Sequence, residues 1–180
     1  NHGAQFYRVY LQVPRLSGQV DLLPVLLPGG LAAQAAEGRL LRIRGQLRSF
    51  NNRSGVGSRL VLTVYAQELQ PGLDEPQNEI SLSGALCKPP VFRRTPLGRS
   101  ICDLMLAVPR RYGRADYLPV IAWGQLAVKA SRLQVGDPLS LEGRVQSRTY
   151  HKTLESGETE ERTAYEVSMM RLLDPENTEA

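Results

Sequence analysis

The chain contains itself twice. The run LQVPRLSG (Leu11–Gly18) returns as LAVPRRYG (Leu106–Gly113), an interval of 95 residues. At that interval Asp21, Pro24 and Val25 fall on Asp116, Pro119 and Val120, and Leu31-Ala32 falls on Leu126-Ala127. After three additional residues in the second copy, GRLLRIRGQLRS (Gly38–Ser49) falls on GDPLSLEGRVQS (Gly136–Ser147). A register kept over so many positions marks a duplicated domain. Two copies within 180 residues leave each with one small core.

Each copy reads mostly as strand. Phe6–Val13 and Ser100–Val108 carry branched and apolar residues in partial alternation, as half-buried strands do. Leu22–Leu27 and Tyr117–Ala122 are further strands, Leu40–Phe50 and Leu139–Arg148 are long ones, and Arg59–Leu69 and Thr163–Leu172 close each copy. Gln125–Arg132, with good helix formers and no breaker, predicts a short helix, and Leu31–Ala36 is its counterpart. In the second copy one more strand, Glu79–Leu86, comes first and a loop, Cys87–Gly98, follows it.

That order predicts an all-β fold of two tandem five-stranded Greek-key barrels, each with its helix between the third and fourth strands. The first copy lacks its opening strand, whose counterpart would fall upstream of Asn1. A barrel short of a strand exposes unpaired backbone, so upstream sequence is expected. The domains are expected at 1–70 and 78–174, with a linker at 71–77 inside the polar QPGLDEPQN and a short acidic tail at 175–180.

Composition removes several function classes. No apolar run approaches the roughly 20 residues that span a bilayer, so no membrane partner is expected. Cys87 and Cys102, with two histidines elsewhere, make neither a zinc site nor an expected disulfide. No phosphate loop, nucleophile elbow or carboxylate–histidine cluster is present, so neither catalysis nor a cofactor is expected. The net charge of +4 is unevenly spread. Residues 1–75 carry eight arginines against five acids. Residues 76–180 carry fourteen cations against thirteen acids, but seven of those acids lie in 155–161 and 174–179. The remainder is cationic and favours a polyanionic partner.

The run RRYGRADYLPVIAWGQ (Arg110–Gln125) puts three rings and three arginines into sixteen residues of a chain with eleven aromatics. Rings pack well on any pleated surface, so core packing competes with ligand contact, most evenly at Trp123. Tyr112, between arginines and a glycine, has the least to pack against.

The second copy resembles the bacterial single-stranded DNA-binding protein family over residues 78 to about 173. The resemblance lies in GALCKPPVFRRTPLGRSICDLMLAVPRRYGRADYLPVIAWGQLA, LQVGDPLSLEGRVQSRTYHK and TAYEV. It implies an OB-fold that holds single-stranded DNA without sequence preference or catalysis, in the cytoplasm at the bacterial nucleoid. It also implies four such folds per assembly, so a homodimer of this two-copy chain, with replication and repair proteins as further partners. By motif position the stacking rings fall on Tyr112, Tyr117, Trp123 and Tyr150. The expected phosphate ligands are Arg110, Arg111, Arg114, Arg144, Arg148 and Lys152, with Arg93 and Arg94 on a hairpin loop that folds over the strand. The family's acidic tail ends in an aspartate–phenylalanine pair, whereas this chain ends LLDPENTEA.

The first copy carries Ser17, Leu22, Pro28 and Asn52 where the second has those four rings. Arg48 and Arg53 remain as cations, and Phe50 is a candidate stacking ring whose alternative is packing. This barrel is expected to help electrostatically or to build the dimer. An OB-fold docking module of a primosome or phage replication complex is the alternative to DNA binding for the whole chain.

Overall fold

The computed structural model describes residues 5–54 and 59–173. The chain forms two compact units that part between Gln77 and Asn78. The tip of the 49–58 loop and the acidic tail lie outside the described residues.

The first unit is a four-stranded sheet in the order β1-β2-β4-β3. Its strands are β1 (Phe6–Pro14), β2 (Val20–Pro28), β3 (Leu41–Asn51) and β4 (Leu60–Pro71), with a single helical turn α1 (Gly29–Ala32) after β2. The second unit contains β5 (Ile80–Leu86), β6 (Val91–Arg94), β7 (Ser100–Pro109), β8 (Ala115–Trp123), α2 (Gln125–Ala130), β9 (Pro138–Thr153) and β10 (Thr159–Leu173). Its sheet runs β5-β9-β10-β8-β7-β6, and β5 also pairs with β7, which closes five strands into a barrel with β6 appended.

The duplication is visible strand for strand. β2 pairs in parallel with β4 at Val25↔Val64, as β8 does with β10 at Val120↔Val167. Both long hairpins break register at one place, between Arg44 and Gly45 in the first unit and between Met169 and Arg171 in the second. Among the described residues the first unit contains no counterpart of β5. Val9, Leu11, Leu41 and Ile43 stay half-buried around a core of Val25, Leu27, Ala66 and Leu69. The matching Leu104, Leu106, Leu139 and Leu141 are buried.

Three elements differ from expectation. The segment 87–98 is not all loop, because Val91–Arg94 pairs with Ser100–Asp103 of β7. The expected helix over Leu31–Ala36 is the shorter α1, after which Gln34 and Ala35 donate to carbonyls three residues back rather than four. α2 likewise ends at Ala130, where Arg132 and Leu133 take the same tighter pattern.

Candidate nucleic-acid interface

Pleating decides which rings can meet a ligand. On β8, Asp116, Leu118, Val120 and Ala122 point inward and are buried. Tyr117 and Trp123 lie on the other face, about 20 Å apart at ~3.3 Å per residue. On β9 the inward residues are Leu139, Leu141 and Val145, so Arg144, Gln146, Arg148, Tyr150 and Lys152 share the outward face.

Cross-strand register shows these two faces are one. Arg144 pairs with Ser168, Ser168 with Ile121, Ile121 with Asp103 and Asp103 with Val91, a single row over five strands. Tyr117, Trp123, Tyr150, Arg144, Arg148 and Lys152 therefore stand on one outer surface. Trp123, 36% exposed, is no barrel plug. The Arg99 guanidinium lies over its ring at 5.3 Å from the centroid.

Tyr112 is placed by a turn, Arg111–Gly113, between β7 and β8. It is 95% exposed and has a left-handed backbone, φ 63°. That conformation costs of order 1–3 kcal/mol for a bulky residue. The turn is closed by Arg110 N–H donating to Arg114 O at 2.7 Å. The chain thus holds a large ring in water on a strained residue.

The cations divide into tethered and untethered. Arg148 lies 3.3 Å from Glu166 Oε1 and 5.9 Å from the Tyr150 centroid, so it is fixed beside the ring it borders. Arg93 is not on a loop: it sits on β6, where Nε donates to Asp103 Oδ2 at 2.9 Å. That hydrogen bond raises the pKa of its guanidinium, against a smaller opposing effect of burial. Arg94 is on the same strand, exposed. Arg110 is also tethered. Its side chain turns into the fold, with Nε 3.1 Å from the buried Asp116 Oδ2, near enough for an ion pair but off the hydrogen-bond line. Its guanidinium is thus already engaged by a buried acid. Among the described residues no carboxylate pairs with Arg111, Arg114, Arg144 or Lys152.

In the first unit Phe50 is 45% exposed rather than packed, and Arg53 is exposed. The Arg48 guanidinium lies over the Tyr65 ring, 4.4 Å from its centroid. Three exposed rings escaped sequence reasoning: Tyr7, Tyr10 and Phe92. Phe92 was hidden by treating its segment as loop. Tyr10 was legible only as one position of an alternating strand.

The model of the single-strand binding protein family matches residues 77–173. A single-stranded DNA-binding protein of Thermus aquaticus is 39% identical over 103 residues, covering 54% of this chain and 38% of that protein. Single-stranded DNA-binding protein 2 of Streptococcus agalactiae serotype V is 31% identical over 104 residues, covering 54% of this chain and 77% of its own length. The crystal structure of the wild-type Thermus aquaticus protein superposes with a TM-score of 0.73 at 26% identity, over 94% of this chain and 80% of that one. The sequence match spans 38% of the Thermus relative's length, whereas the structural match takes in both units of this chain.

Proposed function

Because the chain belongs to the single-strand binding protein family, we propose that its second unit binds single-stranded DNA without sequence preference and without catalysis. The observation that carries this reading is the shared outer face: Tyr117, Trp123 and Tyr150 stand on one surface with Arg144, Arg148 and Lys152. Every base has a π-face, so rings hold any sequence, at roughly 1–3 kcal/mol per stacked base. Untethered cations neutralise phosphates wherever the flexible backbone passes, releasing counterions. Tyr112 adds a ring at the rim of that face, with Arg111 and Arg114 beside it. A duplex hides its base faces and offers such a surface only phosphates.

A titration of fluorescein-labelled dT oligomers tests the reading. Tyr112→Ala with Tyr150→Ala lowers affinity tenfold or more, by roughly 1–3 kcal/mol per lost stack. Trp123 emission falls as dT saturates the wild-type chain. Unchanged affinity in the double variant overturns the assignment and leaves a protein-docking OB-fold. The same proposal includes a homodimer, giving four units per assembly, at work in the cytoplasm at the nucleoid beside replication and repair proteins. Sedimentation with and without dT oligomer measures the first of these.

A further inference from the structure

The first unit has its own ring-and-cation surface, at positions unlike those of the second. Arg8 pairs with Leu26, Leu26 with Tyr65 and Tyr65 with Gln46, one row across the whole sheet. The duplication sets this row on Asp103, Ile121, Ser168 and Arg144 of the second unit. The groups have traded places. An arginine stands at the β1 position where β7 has an acid, and a ring stands in the middle where β10 has a serine.

Two neighbouring rows extend the surface. Tyr10, 54% exposed, pairs with Pro24, and Arg48 pairs with Thr63. Phe50 pairs with Val61 beyond them. The three rows contain no carboxylate, whereas the equivalent second-unit rows contain Asp103 and Glu166, each already held by an arginine. Arg48 rests on Tyr65, and its Nε is buried with no acceptor among the described residues. Phe6 flanks the same ring at 5.9 Å between centroids, tilted 52°. The result is a platform with a clamped central ring, exposed outer rings at Tyr10 and Phe50, and uncompensated positive charge.

We propose that this face is a second stacking surface for single-stranded DNA, with Tyr10, Phe50 and the exposed part of Tyr65 as base platforms and Arg8 and Arg48 as phosphate ligands. It rests on the reading of the chain as a binder of unpaired DNA, but on different residues. The loss of rings at Ser17, Leu22, Pro28 and Asn52 is then a relocation along the sheet. The first unit is no bare electrostatic helper.

The test uses the full chain with Arg8→Ala and Tyr10→Ala together, both on exposed positions of an edge strand. Affinity for long fluorescein-labelled dT is expected to fall roughly five- to 150-fold. The slope of log K against log salt becomes less negative by about 0.7 for the lost phosphate contact. Trp123, in the other unit, still quenches at saturation, and Tyr10→Phe, which keeps the ring, binds like the wild-type chain. Unchanged affinity and salt slope, with Trp123 still quenched, overturn the proposal. If the Tyr112 and Tyr150 substitutions change nothing and Trp123 never quenches, the reading of the second unit has failed instead, and the Arg8/Tyr10 result stands by itself. Should the double variant lose its fold, ultraviolet cross-linking of the wild-type chain to dT decides. Adducts on Tyr10 or Tyr65 support the proposal, and adducts confined to the second unit sink it.

Discussion

Arg15 grips Asp21 at both carboxylate oxygens, Nε 2.7 Å from Oδ2 and Nη2 2.5 Å from Oδ1. Asp21 is fully buried, at the inward start of β2. The duplication repeats the pair as Arg110 and Asp116, so a buried acid anchors the same corner of both sheets. A buried acid is costly unless it is paired, and here a guanidinium neutralises it. Arg15→Ala strands the charge and is expected to destabilise the chain by about 3 kcal/mol. Arg110→Ala acts in the same direction. Urea unfolding of each variant measures the loss, and Arg15→Lys, which cannot make the two-pronged contact, recovers only part of it.

A second repeated device is the glycine at the register break. A Cβ on Gly45 would sit 2.1 Å from Tyr65 O, and one on Gly143 would sit 2.1 Å from Ser168 O. Both obstacles are backbone, which cannot swing aside. Gly45→Ala and Gly143→Ala are therefore expected to cost at least the roughly 1–3 kcal/mol of an overpacked core. Equal losses from the two substitutions, read from urea midpoints, would show that one bulge has been kept in both copies. A neutral result at either position would mean that the strands can separate there freely.

These paired features explain why the fold was legible. Gly45/Gly143 and Asp21/Asp116 are positions where backbone geometry or a buried charge admits few alternatives, so they recur at fixed intervals in the sequence. The candidate rings on β8 and β9 followed from a family resemblance, but their common face needed the strand register. Alternation alone tells which residues share a side of one strand, not which side meets solvent, and Trp123 was open for that reason. The Arg110–Asp116 pair was not legible because a cation in an arginine-rich run looks the same whether it reaches a phosphate or a buried acid six residues away. Of the first unit's ring surface only Phe50 and Arg48 were legible, because the surface arises from β1, β3 and β4 together, which no local pattern connects.

The two thiols differ enough to be told apart. Cys102 is buried without exposure on β7, and burial, with a smaller contribution from the Asp103 carboxylate, pushes its pKa up. Cys87 is half-buried, its thiol donating to Met105 O at 3.3 Å. A disulfide-exchange reagent should modify Cys87 in the folded chain and reach Cys102 only on unfolding. The raised pKa also has a stability consequence. The folded state holds the Cys102 proton more tightly, so its contribution is complete below the unfolded thiol value of about 8.5 and is lost as pH rises from there towards the higher folded value. Urea midpoints compared between pH 7 and pH 10 should therefore fall more steeply for the wild-type chain than for Cys102→Ala.

Tyr112 should separate stability from binding. Its left-handed backbone at φ 63° favours glycine, and its ring, almost wholly in water, has no packing to lose. Tyr112→Gly removes the backbone strain while making the unfolded chain more flexible, and these partly cancel. The expected net effect on folding is a gain of up to about 1 kcal/mol. The same substitution removes a ring from the rim of the proposed DNA face and should weaken dT binding by roughly 1–3 kcal/mol. Thermal unfolding without DNA and a dT titration, done on the one variant, read the two effects independently. A fall in both would make Tyr112 a structural residue after all. A rise in melting temperature with weakened binding would show that the chain keeps a strained residue for the sake of its ring.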